Sequence, residues 1–230
     1  MTAWRRSLAA IGADLTGAVL LAAANGSSLA RGAVAPVREE GMALVTLGAG
    51  DVPSLPDDAS PRATGAPDAS FDAVVMLAAW DGPHAMYDVA AEAARIVRPG
   101  CHVWLGDIDA EAMVESTPAA YPQAILYREH PEVGDRLLSA HEGSSRMALA
   151  ALGSGIRPLL IEAADLPLGA YTDASAYVEA VRSGLWPGSE WIGAQQMDDV
   201  LVALQQRLRE VEFPTVAHQP WLLVHGPRSR

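Results

Sequence analysis

The stretch AAWDGPHAM, residues 78–86, places an indole, a carboxylate and a histidine within one short turn. Histidine exchanges its proton near neutral pH, and an acid three residues earlier can orient the ring, so His84 with Asp81 reads as a general acid–base pair. The same residues also make an ordinary turn, with Asp81 capping the next helix and His84 solvated. Asp107 and Asp109, in WLGDID, follow as acidic candidates, Asp107 for catalysis, and both residues also suit the capping or solvation of a strand end. Trp80 offers an aromatic wall beside the pair. Trp186 and Trp191 flank a glycine-serine turn in SGLWPGSEWIG and read as a lid over a flat or apolar molecule, with Tyr121 as a further pocket residue. Trp104 and Trp221 lie inside apolar runs and read as core.

Other chemistries are excluded by spacing. His130 and His141, each next to a glutamate (Glu129, Glu142), lack a ligand pattern, so no metal is expected. The serines of the two GSS stretches, 26–28 and 143–145, do not form a nucleophile elbow. Cys101 is the single cysteine, which rules out a disulfide framework and cysteine metal clusters and fits a reducing cytoplasm. All 16 basic residues are arginine, so lysine Schiff bases and lysine general bases are absent. A net charge of −12 argues against nucleic acid and anionic membrane surfaces as partners.

These side chains need a scaffold, and 230 residues with half of them hydrophobic can bury a full core. The first thirty residues imitate a secretory signal, but Asp14 interrupts the apolar run. No stretch reaches the ~18–20 uncharged apolar residues that span a bilayer. Apolar spacing predicts helices over 4–16 and 29–40 around a strand at 19–24, and a second strand at 42–47. A proline- and glycine-rich loop follows over 48–70. Then come a strand at 71–77, a helix at 86–97 and a strand at 102–108. Residues 109–133 read as irregular. One helix over 134–152, a strand at 158–163, helices at 173–183 and 195–211, and a last strand at 221–226 complete the pattern. Alternation of this kind implies a mainly parallel sheet with helices on both faces.

The segment PDASFDAVVMLAAWDGPHAMYDVAAEAARIVRPGCHVWLGDID, 67–109, resembles the middle of class I S-adenosylmethionine-dependent methyltransferases. There a strand opening on Phe-Asp is followed by a helix, a Leu-Arg-Pro-Gly-like turn and another strand. The resemblance implies an α/β three-layer sandwich: a Rossmann-like, mainly parallel methyltransferase sheet with an antiparallel last strand and a helical cover. It implies one domain over 1–230, with 109–133 and 164–212 as substrate-cover regions.

In that family an acid in the first strand and several glycines after it let the backbone approach the cofactor. VLLAAANGSSLA, 19–30, is similar in outline only. Leu21 takes the acidic position, and Ala23, Asn25 and Ser27 take glycine positions, leaving Gly26. Glycine is needed there because a missing Cβ permits positive φ and close contact with a ligand. Leu47 stands where an acid would hold the ribose. Asp51 lies just beyond it, and the interval before the Phe-Asp strand is shorter than in the family.

If a cofactor binds, Ala23, Asn25, Gly26, Ser27 and Asp51 are the residues to hold it. The damage favours no cofactor, with S-adenosylmethionine as the alternative. The leading expectation is therefore a cytoplasmic small-molecule enzyme of cyclase, isomerase or lyase type, possessing a hydrophobic substrate and compatible with a homodimer. The alternatives are a divergent S-adenosylmethionine-dependent methyltransferase and a non-catalytic partner subunit.

Overall fold

A computed structural model describes residues 17–24, 42–47, 51–80, 82–141 and 143–229. The helices expected at 4–16 and 29–40 lie outside the described residues. The strands begin where the apolar runs predicted them: β1 is Val19–Ala24, β2 Met42–Leu47 and β3 Phe71–Leu77. Helix α1, Gly82–Ile96, and strand β4, Val97–Ile108, follow. The strands β5, Leu160–Tyr171, and β6, Thr215–Pro227, are much longer than the short runs that marked them.

The sheet order is β2-β1-β3-β4-β6-β5. Its centre is parallel, β1 with β3 and β3 with β4, and β6 enters antiparallel to β4. β2 adds a second antiparallel pair, Leu47 opposite Val19 and Met42 opposite Ala24. This is the mixed, open α/β sheet with a parallel core and an antiparallel last strand that the resemblance implied.

The chain divides into two compact units. The first takes its described residues from Met1–Ile108, Glu142–Ala164 and Trp221–Arg230. On one face of its sheet, Leu20, Ala22, Val74, Met76, Val103, Leu105 and Val224 form a buried core with Val89, Ala90 and Ala93 of α1. Met147, Ala150 and Ala151 of α5, Ser144–Gly153, complete it. Side chains alternate across a strand, so Leu21, Ala23, Val75, Leu77, Trp104 and His225 belong to the opposite face.

The long loop before β3 is fixed to α1 by one buried carboxylate. Glu92 accepts from Thr64 N at 2.8 Å and Thr64 Oγ1 at 2.5 Å. Arg95 grips it from Nε and Nη2, both at 2.7 Å, while also donating to the Ala66 carbonyl at 2.8 Å.

The second unit comprises Asp109–His141 and Asp165–Pro220. Residues 109–133 are not irregular but largely helical: α2 is Ala110–Glu115, α3 Ala124–Glu129, and α4, Pro131–Ala140, begins there. Local chemistry accounts for this. The Asp109 carboxylate caps α2 at Ala112 N, and Pro131 starts α4, where its missing N–H costs nothing. The single helix expected over 134–152 is two, α4 and α5. α4 ends before the extended His141, and Gly143, at φ 75°, precedes α5. Helices α6, Ala174–Arg182, and α7, Ala194–Leu208, match the apolar spacing that predicted them.

Candidate functional site

Open α/β sheets bind ligands at the carboxyl ends of their strands. In the first unit that end is defined by register, because Ala23, Leu77 and Gly106 form one row across β1, β3 and β4. Asp107 is one residue beyond the row and is buried, with Oδ1 accepting the Ile108 N–H at 2.8 Å. It pairs with Leu222, which packs against the core shared with α1, so Asp107 lies on the α1 side of the sheet.

After β3 the chain turns at Ala78, which has φ 48° and donates its N–H to the Gly106 carbonyl at 2.8 Å. A non-glycine residue in that region is strained, and such strain clusters at functional turns. Trp80 follows, half-buried against the same core. His84 sits in the first turn of α1 and is exposed. Asp81, its proposed partner, lies outside the described residues, as do Asn25, Gly26 and Ser27. The carboxyl edge on the α1 side therefore carries Asp107, Trp80 and the start of the helix that bears His84.

The cofactor positions behave differently. Leu21 is fully buried between Val45 of β2 and Val75 of β3, on the face opposite α1. Ala23, also buried, shares that face and not the face of Asp107. Because β2 is antiparallel, its end at Leu47 lies opposite Val19, at the amino end of β1. β2 thus ends at the amino end of β1 and not beside Ala23, and Asp51, four residues after Leu47, is exposed. Among the described residues, three positions differ from the usual S-adenosylmethionine cradle: the acidic position is the buried Leu21, the first glycine position is Ala23, and the ribose position, Leu47, stands opposite Val19.

The second unit holds the remaining pocket candidates. Trp186 is completely buried, edge-on to Tyr177 at 6.5 Å, and Tyr177 stacks on Tyr171 at 4.8 Å. It is a core residue and not a lid, because its indole is enclosed beside Tyr177. Trp191 is half-buried with the Arg136 guanidinium 4.2 Å over its ring. Tyr121 is half-buried and its hydroxyl donates to Asp165 Oδ1. Burial first, then Asp165 and the more distant Asp109, push its pKa up to about 12.

Sequence reasoning placed Trp221 in the core, and it is buried, 6% exposed. Trp221 faces Ile108 at the carboxyl end of β4, and its indole Nε1 has no hydrogen-bond partner among the described residues. Only strand register reveals that position 221 pairs near Asp107. Among the described residues no group of three or more acidic, histidine or cysteine side chains is placed to hold a metal. No helix among them is long and apolar enough to cross a membrane.

No protein-family model and no curated protein matches the chain. Solved structures similar to it are methyltransferases. A candidate methyltransferase from an antibiotic biosynthesis pathway of Anabaena variabilis shares 14% identity over 72% of this chain and 70% of its own, with a TM-score of 0.48. One from Bacillus halodurans shares 13% over 74% and 76%, at 0.37. Geranyl diphosphate C-methyltransferase from Streptomyces coelicolor shares 10% over 73% of this chain and 49% of its own, at 0.33.

Proposed function

We propose that the protein is a small-molecule enzyme on a methyltransferase-like sheet that does not perform ordinary S-adenosylmethionine-dependent methyl transfer. Its chemistry would be of cyclase, isomerase or lyase type on a hydrophobic substrate, in the cytoplasm. The observation that carries this reading is the enclosure of Leu21 between Val45 and Val75. An apolar side chain with no exposed surface supplies no acceptor to a cofactor, and the antiparallel β2 removes the second acidic position from the same end. His84 would move a proton, oriented by Asp81, while Asp107 and Trp80 shape the α1 side of the carboxyl edge. Positioning of a bound substrate would then supply much of the rate.

A divergent methyltransferase is the second reading, and the strand order with its antiparallel β6 favours it. It would rely on backbone groups of 22–27 and on Asp51. Calorimetric titration with S-adenosylmethionine and S-adenosylhomocysteine separates the two. The first reading expects no saturable heat for either; binding with a Kd of roughly 1–100 μM sinks it.

A further inference from the structure

We infer that the edge strand β5 is the interface with a second copy of this chain, paired antiparallel about Ile161 so that Arg157 of each copy meets Asp165 of the other. β5 ends the strand order and has β6 as its neighbour there. The outer side of such a strand presents a row of unpaired N–H and C=O groups, which another strand can complete. Leu160 is 54% and Ile161 53% exposed, and Glu162 and Ala163 are exposed after them. Successive side chains of a strand point to opposite faces, so four exposed residues in a row leave both faces of this edge open. The edge also continues before the strand: Arg157 N donates to the Pro227 carbonyl of β6 at 2.9 Å, and Ile156 bridges Arg228 antiparallel.

The charges along the edge select the occupant. A two-fold interface must complement itself, and its symmetry sets residues equally far from the centre opposite one another. Arg157 and Asp165 stand four residues before and after Ile161, and both are exposed. Pairing about Ile161 therefore makes the arginine–aspartate contact twice, once at each end of the shared ladder. Between the two contacts Glu162 meets Leu160 and Ile161 meets its own copy. Opposite charges facing each other across an antiparallel pair stabilise it, and like charges destabilise it. Neighbouring registers lack this match: centring on Glu162 sets that carboxylate against itself, and centring on Leu160 puts Arg157 opposite Ala163. The Tyr121 hydroxyl donates to Oδ1 of Asp165, so Oδ2 is the oxygen that accepts from the partner's Arg157. Two copies of net charge −12 repel at long range, but salt at physiological strength screens that repulsion beyond about 8 Å.

Sedimentation equilibrium of the full chain at neutral pH and physiological salt tests the interface. Main-chain pairing with little apolar area belongs to the small, transient class, so a dimer Kd of roughly 10–100 μM is expected. Arg157→Asp alone and Asp165→Arg alone each place like charges at both ends of the ladder. Each should weaken dimerisation at least about tenfold. Mixed in equal amounts, the two variants present opposite charges at both ends again, and a heterodimer should form within about threefold of the natural affinity. That rescue also shows that both variants are folded. A natural chain that stays monomeric at about 500 μM, single variants that dimerise as well as it does, or a mixture that stays monomeric overturns the interface.

Discussion

Leu47 faces Val19 across an antiparallel pair, so the last residue of β2 stands at the first residue of β1. Had the two strands been parallel, Leu47 and the loop after it would have stood beside Ala23, where a nucleotide ribose is held in sheets of this type. The direction of one strand thus sets which end of β1 the residue at the ribose position meets.

That geometry makes a simple restoration of the missing acid fail. Leu21→Asp places a carboxylate between Val45 and Val75 with no exposed surface, and an unpaired buried charge costs more than about 3 kcal/mol. The expected result in urea melts is a large loss of stability or no folded protein. Calorimetry should show no gain in S-adenosylmethionine binding. A stable Leu21→Asp variant that binds the cofactor would contradict the enclosure.

Gly106 is the tightest point of the carboxyl edge. A Cβ there would come within 2.4 Å of Leu77 Cδ2 and 2.7 Å of Leu223 Cδ2, both on fully buried residues. Gly106→Ala should therefore cost roughly 1–3 kcal/mol by overpacking. A midpoint unchanged within error in chemical denaturation would show that the two leucines yield freely.

The apolar runs made the strand positions legible, and β1, β2 and β3 fall where VLLAAA, MALVTL and FDAVVML stand. Strand direction was not legible, because the period-two pattern of MALVTL is the same read either way. Nor was the face each candidate occupies: Ala23 and Asp107 both end strands, yet register sends them to opposite sides of the sheet. Trp186 misled because proline and glycine around it signal a turn, and a turn can still direct a large side chain inward.

Trp186 and Trp191 should therefore respond differently to truncation. Trp186→Ala empties the centre of the second unit beside Tyr177 and should cost about 3–5 kcal/mol. Trp191→Ala removes a half-buried ring and its Arg136 contact, worth about 0.5–1 kcal/mol at such a site. Hydrogen exchange within α6 and α7 measures both, and equal losses would contradict the placement of the two rings.

Acid should loosen the loop before β3. Burial pulls the Glu92 pKa up, but the Arg95 side chain and the two Thr64 bonds outweigh it and hold the value below the ordinary 4.5. A depressed carboxylate contributes stability that is present above its unfolded value and lost as pH falls through the folded one. Thr64 N should accordingly lose exchange protection below about pH 4.5. In Glu92→Gln this acid-dependent step should vanish, at an expected cost of roughly 1–3 kcal/mol at neutral pH.

Tyr121 gives the opposite sign at the alkaline end. Its pKa, raised from 10.0 to about 12 by burial and then by Asp165, means that the folded second unit keeps a proton the unfolded chain releases. The stabilisation is complete below pH 10.0 and is lost as pH rises toward about 12. Phenolate absorbance, taken as the difference between the natural chain and Tyr121→Phe, should show this late titration. Asp165→Asn removes the neighbouring charge while keeping an acceptor, so the midpoint should move back toward 10.0. A midpoint that does not move would assign the shift to burial alone and separate Tyr121 from Asp165 as a working pair.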